Sequence, residues 1–149
     1  MTRETPVPCR SRIGDLRLVD LRSVVEPNGT LVVADAGPHV PFDIVRVFAV
    51  TAVAAGERRG SHAHRRLNQF LICVNGSVAV TVDDGRERRT MVLDHLSRAL
   101  HVPPGVWAEQ VYSGPDAVLM VLCDRPYEEE DYIRDYAAFR SYRNAIEEA

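Results

Sequence analysis

His62 and His64 stand one residue apart in the stretch GERRGSHAHRRLNQFLICVNGS, Gly56 to Ser77. They come just before an apolar run, FLICV, that reads as a buried strand. On an extended strand, side chains two residues apart project to the same face, so both imidazoles enter whatever that face encloses. Such a pair has two chemical uses. A neutral ring nitrogen can ligate a metal ion, and a ring that titrates near neutral pH can take up and return a proton.

The spacing tests the first use. The pattern G-x5-H-x-H-x4-E-x6-G, the first metal-binding motif of cupin barrels, is matched at every interval by Gly56, His62, His64, position 69 and Gly76. Position 69, however, is Gln69. The second motif, P-x-G-x2-H, reads Pro103-Pro104-Gly105-Val106-Trp107-Ala108, with alanine in the ligand position. A divalent ion held by nitrogen and oxygen donors needs three or four ligands, and two imidazoles with a neutral amide make a poor set. The expectation is a cupin scaffold without a metal or other cofactor. Two buried imidazoles on one face cost stability unless something satisfies them. Acid–base chemistry on a bound ligand therefore suits the pair better than a purely structural role.

The elements that must position this pair are short and β-prone. Leu31 to Ala34 follows the turn signal Pro27-Asn28-Gly29, and Ile44 to Val53 is rich in β-branched residues. Phe70 to Val74 ends at Asn75-Gly76, a dipeptide favoured in tight type I′ hairpins, and Val78 to Val82 follows with its valines alternating. Asp83-Asp84-Gly85 signals a second hairpin returning through Thr90 to Leu93. Leu100 to Val102, Glu109 to Tyr112 and Val118 to Cys123 complete eight or nine strands at a spacing of about ten residues, the rhythm of an all-β sandwich or barrel. The fold expected is a small double-stranded β-helix, a cupin or jelly-roll barrel. From Asp131 onward, Tyr132, Ile133, Tyr136, Phe139 and Tyr142 fall at helical spacing, which predicts a short C-terminal helix packed by its aromatic side.

Composition narrows the function further. A chain of 149 residues, 46% hydrophobic, suits one domain spanning 1–149. A net charge of −3 gives no basic stripe for a phosphate backbone, so nucleic acid is not expected as a partner. All 18 positive charges are arginines, whose planar forks suit diphosphate groups. Cys9, Cys73 and Cys123 are odd in number and widely spaced, which argues against a disulfide framework and for a reducing cytoplasm. The N-terminus has no apolar signal core, and no run approaches the ~18 apolar residues of a membrane span.

The stretch from Pro41-Phe42 through RGSHAHRRLNQFLICVNGS, DDG, VPPGVW and PYEEEDYIRDYAAF resembles the nucleotide-sugar 3,4-ketoisomerases of the cupin superfamily. The motifs RGxHAH, QFL-x-C-x-x-G-S, VPPxVW and DYIRDY carry the resemblance over about residues 10 to 142. It implies a metal-free homodimer with N-terminal strands exchanged between subunits. It also implies a substrate of the dTDP-4-keto-6-deoxyglucose type, converted to a 3-keto sugar through an enediol. By this resemblance His64 is expected to be the base and His62 its partner, donating a proton or orienting the sugar. Arg46 and Arg59 are expected on the diphosphate or the enediolate, Gln69 on the sugar, and Trp107 as a wall of the site. Family members usually read RVxYxYD where this chain has Arg46-Val47-Phe48-Ala49-Val50-Thr51-Ala52, so two tyrosine positions and an acid differ here. Ala108 also replaces a histidine or arginine found in many members. Two other readings are a cupin that holds a nucleotide sugar without turnover and a metal-dependent cupin enzyme.

Overall fold

The computed structural model describes residues 10–148; Cys9 and the rest of the first nine residues lie outside them. Two five-stranded antiparallel sheets face each other. The first runs in the spatial order β1 (Arg17–Asp20), β9 (Arg98–Val102), β6 (Gln69–Asn75), β11 (Val118–Cys123) and β4 (Arg46–Val50). The second runs β12 (Tyr132–Ile133), β5 (Arg58–His64), β10 (Trp107–Tyr112), β7 (Val78–Asp83) and β8 (Arg88–Leu93). Among the described residues a separate hairpin, β2 (Arg22–Glu26) with β3 (Gly29–Val33), completes the strands, and one α-helix, α1 (Tyr136–Glu148), follows them. This is the mostly-β cupin architecture with a C-terminal helix that the strand rhythm implies.

The core lies between the sheets and is built by strand alternation. Val78, Val80 and Val82 point inward from β7, Leu71 and Cys73 from β6, and Leu119, Val121 and Cys123 from β11. The outer face of the first sheet is covered by a second cluster containing Leu21, Val40, Phe70, Ile72, Ala99 and Leu122. Over the outer face of the second sheet lies a third cluster, Ala63, Trp107, Ile133 and Phe139, capped by α1.

Two sequence expectations are corrected here. Asn75-Gly76 does not close a hairpin, because β6 and β7 belong to different sheets. The turn instead carries the chain across the barrel, with Asn75 Nδ2 donating to the Asp116 carbonyl at 2.8 Å. Gly76 has φ 71°, and a Cβ there would sit 2.9 Å from Ala117 Cα, so the crossing needs glycine for both conformation and space. By contrast Asp83-Asp84-Gly85 does close a hairpin: β7 and β8 pair throughout, and Asp84 Oδ1 accepts from the amides of Arg86 and Glu87 at 2.8 Å each.

The second correction concerns the C-terminal helix, which begins at Tyr136 and not at Asp131. Asp135 caps it, with Oδ2 accepting from the Ala138 amide at 2.9 Å. Upstream, Glu129–Asp131 form a 3₁₀ turn, and Tyr132 and Ile133 pair with His64 and Ala63 as strand β12. The helical spacing is broken because backbone pairing to an open edge of β5 satisfies more groups than one extra helical turn would. The consequence is functional: Tyr132 and Ile133 point to opposite faces of the sheet instead of along one helix face.

Candidate active site

Strand β5 reaches the site through a distortion. Where β5 pairs with β10, the register slips between Ala108 and Glu109, and the slip coincides with two successive left-handed residues, Gly60 at φ 80° and Ser61 at φ 56°. A Cβ on Gly60 would lie 2.9 Å from Gln110 Oε1 and 3.0 Å from the Ala108 carbonyl oxygen, so no larger residue fits. Serine in this region is strained, and such strain concentrates at functional sites. Immediately after the kink, His62 and His64 project inward from the strand while Ala63 packs outward.

A cavity of about 440 Å³ opens against this face. One wall is polar: Arg58, Arg59 and His62 from β5, Gln110 from β10, Tyr132 from β12, and Arg134 and Tyr127 at the rim. The opposite wall comes from the first sheet. Arg46, Phe48 and Val50 of β4 and Gln69 and Leu71 of β6 line it, with Leu119 and Val121 of β11. Of the residues proposed from sequence, His62, Arg46, Arg59 and Gln69 therefore meet in one cavity. His64 lies one layer behind, buried, with its ring 4.9 Å from that of His62.

Trp107 is a correction. Its ring is packed between Tyr136 and Phe139 on the outer face of the sheet, and its Nε1 donates to Glu109 Oε1 at 3.1 Å. Strand alternation places Ala108 and Gln110 inward and Trp107 outward, so Trp107 supports the helix and does not wall the site.

The electrostatics of the polar wall are specific. His62 Nδ1 lies 3.1 Å from the Gly60 carbonyl oxygen. Burial, then the neighbouring His64 and Arg134, push its pKa down from 6.5 to about 4, against the carbonyl, which raises it. His62 is thus neutral at physiological pH. His64 Nδ1 faces Asp131 Oδ2 at 3.3 Å. Burial works against the charged form of Asp131, but His64 and the amides of Leu67 and Arg66 outweigh it and hold the carboxyl below its usual range. Tyr132 touches both imidazoles edge-on, at 5.1 Å from His62 and 4.3 Å from His64. The Arg134 guanidinium stacks 4.0 Å above the Tyr132 ring, and both it and the Tyr127 hydroxyl donate to Glu129.

The residues that sequence reasoning did not assign are Asp131, Tyr132, Arg134, Tyr127, Gln110 and Arg58. Four of them belong to the segment PYEEEDYIRDY, whose helical periodicity masked a turn and a strand. On β4 the inward positions are Phe48 and Val50, whereas Ala49 is exposed on the other face. Among the described residues, the hydroxyl-bearing side chains that line this cavity are Tyr127 and Tyr132.

Fold and site together define a small cupin barrel in which two neighbouring imidazoles stand beside an arginine-lined cavity. Comparison with known proteins makes this specific. The chain belongs to the family described as FdtA, WxcM-like, C-terminal, whose match spans residues 14–144. It is 37% identical over 126 residues to the TDP-4-oxo-6-deoxy-alpha-D-glucose-3,4-oxoisomerase of Aneurinibacillus thermoaerophilus, covering 85% of this chain and 91% of that one. It superimposes on QdtA, a sugar 3,4-ketoisomerase of Thermoanaerobacterium thermosaccharolyticum solved with TDP, with a TM-score of 0.86 and 32% identity over 90% of this chain and 98% of that one. The Campylobacter jejuni enzyme WlaRA, a TDP-fucose-3,4-ketoisomerase, gives a TM-score of 0.81 at 27% identity, covering 89% and 98%.

Proposed function

We infer that the chain is a nucleotide-sugar 3,4-ketoisomerase acting on a dTDP-linked 4-keto-6-deoxyhexose of the dTDP-4-keto-6-deoxyglucose type. The observation that carries this reading is the contact of His62, His64 and Tyr132 at one wall of a cavity that also presents Arg46, Arg59 and Arg134. The named relatives supply the substrate class.

The chemistry follows from the site. The C3 hydrogen of a 4-keto sugar is acidified by the adjacent carbonyl. His62, the imidazole of the pair that lines the cavity, and not the buried His64 expected from the sequence, removes it as a proton, the freed electron pair forms the C3–C4 double bond, and O4 takes up a proton to give the enediol. Return of a proton to C4, with loss of the O3 hydroxyl proton, leaves the 3-ketone. A neutral imidazole can take the C3 proton. The negative charge developing on oxygen is stabilised by an arginine of the cavity. Arg46 and Arg59 serve the diphosphate or this oxygen, and Gln69 and Gln110 hydrogen-bond the sugar. No metal takes part in this scheme, consistent with Gln69 and Ala108 in the positions of two cupin ligands.

The enzyme works as a cytoplasmic homodimer in this reading. Among the described residues the β2–β3 hairpin pairs with no other strand, and Val25 and Leu31 on it are 79% and 61% exposed, a surface suited to burial against a second copy. Among the described residues no helix is long and apolar enough to cross a membrane.

The test is incubation of the purified protein with dTDP-4-keto-6-deoxyglucose in deuterated water, followed by NMR of the sugar. Solvent deuterium in the sugar and a 3-keto product are expected. Binding of dTDP without any exchange would replace the isomerase by a binding cupin.

A further inference from the structure

The reaction takes a proton from carbon and must also give one to oxygen. O4 is protonated on the way to the enediol, and the group that does so has to reach the sugar. Among the described residues that line the cavity, few can serve. His62 enters the reaction neutral and acts as the base. The guanidinium groups of the cavity arginines keep their protons, so they stabilise charge without donating a proton, and the carboxamides of Gln69 and Gln110 are not acids. The phenols of Tyr127 and Tyr132 remain. Tyr127 is 54% exposed at the rim, and its hydroxyl already donates to Glu129. The Tyr132 hydroxyl makes no hydrogen bond to any described residue.

The fold puts Tyr132 beside the base. Backbone pairing sets it opposite His64 across β12 and β5, and alternation sends Tyr132 to the cavity face and Ile133 to the outer cluster. Its ring meets that of His62 edge-on at 5.1 Å. C3 and C4 are bonded neighbours in the sugar, so the base at C3 and the donor to O4 have to stand side by side, as these two rings do. The Arg134 guanidinium lies 4.0 Å over the Tyr132 ring and is fixed there by two hydrogen bonds of 3.0 Å to Glu129. A phenol that gives up its proton keeps a negative charge, and here that charge forms beneath a held cation.

We propose that Tyr132 is a catalytic residue, the proton donor to O4. This rests on the isomerase reading and adds the acid that complements its base. His62 takes the C3 proton, the C3–H electron pair becomes the C3–C4 double bond, the carbonyl π pair moves onto O4, and O4 bonds the Tyr132 proton. The phenolate regains a proton as O3 gives up its own. The O3–H pair then becomes the C3–O3 π bond, and the enediol double bond takes the proton from His62 at C4. Both side chains end as they began.

Tyr132→Phe keeps the ring and its contacts and removes the acid. With dTDP-4-keto-6-deoxyglucose in deuterated water, kcat is expected to fall about 10²–10⁴-fold, while the calorimetric affinity for dTDP stays within about threefold, because the loss falls on proton transfer and not on binding. A second measurement does not depend on that variant folding. 3,5-Difluorotyrosine at position 132 ionises at lower pH with little change in size, so the high-pH arm of the kcat profile should move down with it. The titratable and charged groups facing this phenol are His62 and His64 on β5, Tyr127 and Arg134, with the other cavity arginines around them, and the fluorinated residue leaves all of these in place.

An active wild type whose Tyr132→Phe variant keeps kcat within about twofold would overturn the proposal, and so would a high-pH arm that stays where it was in the fluorinated protein. A wild type with no deuterium exchange would remove the isomerase reading and the donor with it. The donor fails alone only where the wild type is active.

Discussion

The two faces of strand β5 differ by one residue in sequence and by everything else in role. His62 and His64 face inward to the cavity and to Asp131, while Ala63 between them packs outward against Trp107, Ile133 and Phe139. The neighbouring strands repeat the division. Tyr132 faces the histidines and Ile133 the outer cluster; Gln110 lines the cavity and Trp107 lies beneath the helix. A sheet with one dry face can keep titratable groups at fixed spacing on the other, because packing on the outside fixes the backbone that aims them. Substitutions on the two faces should therefore fail in different ways: inner changes should lose chemistry while the fold persists, and outer changes should lose fold while the chemistry of the remaining folded molecules persists.

The largest effect expected is on the inner face. His62→Asn should lower kcat for deuterium exchange by at least about 10³-fold, since the base at the cavity is removed, with a thermal midpoint near that of the wild type. His64→Asn should cost less, because His64 lies behind His62 and does not line the cavity. Equal losses in both variants would erase the distinction between the two imidazoles.

Next in size is the outer face. Phe139 is fully buried in the cluster that clamps α1 to the sheet. Phe139→Ala should destabilise the protein by about 3–5 kcal/mol in urea unfolding, through lost burial and the cavity left behind. At low temperature the folded fraction should keep its KM. A variant of full stability but no activity would break the proposed separation of the faces.

A smaller effect joins stability to the inner face. Folded His62 releases its proton near pH 4, against 6.5 in an unfolded chain. Between these values the unfolded state binds more protons, so stability should fall as pH drops from 6.5 towards 4, by up to about 3 kcal/mol from this group alone. His62→Gln removes the titration, so its unfolding free energy should fall less than that of the wild type over this interval. Parallel pH dependences in the two proteins would show that His62 is not the group held neutral.

Much of this was legible in the sequence because spacing of period two survives folding. The barrel, the inward pair His62 and His64, and position 69 follow from alternation and from a motif of fixed intervals, whereas Arg46 was indicated by the family resemblance. The Trp107 wall failed because its neighbourhood in VPPGVWAEQ does not reveal which strand face a residue takes until the register with β5, including the slip at Ala108, is known. Asp131 and Tyr132 were hidden for another reason. Aromatic residues at helical spacing continue smoothly from Tyr132 into α1, and only the open edge of β5 decides that the first two residues of the series pair as a strand. Long-range pairing of this kind overrides local periodicity and leaves no local mark.

The smallest expected effect tests the same division on the other side of the cavity. By the family resemblance the chain departs from RVxYxYD at Ala49, Thr51 and Ala52, which suggests lost hydroxyls and a lost acid in the site. On β4, however, Phe48 and Val50 point inward and Ala49 is exposed, while Tyr127 and Tyr132 already place phenols at the cavity. Ala49→Tyr should therefore leave kcat and KM within about twofold of wild type, as expected for an exposed position away from substrate. Phe48→Tyr adds a hydroxyl to the apolar wall beside the Arg46 guanidinium, which lies 4.9 Å over that ring, and should change KM while sparing the acid–base step. If Ala49→Tyr instead raised kcat severalfold, β4 would contribute to proton transfer from its outward position, and the assignment of all proton handling to the β5 and β12 wall would fail.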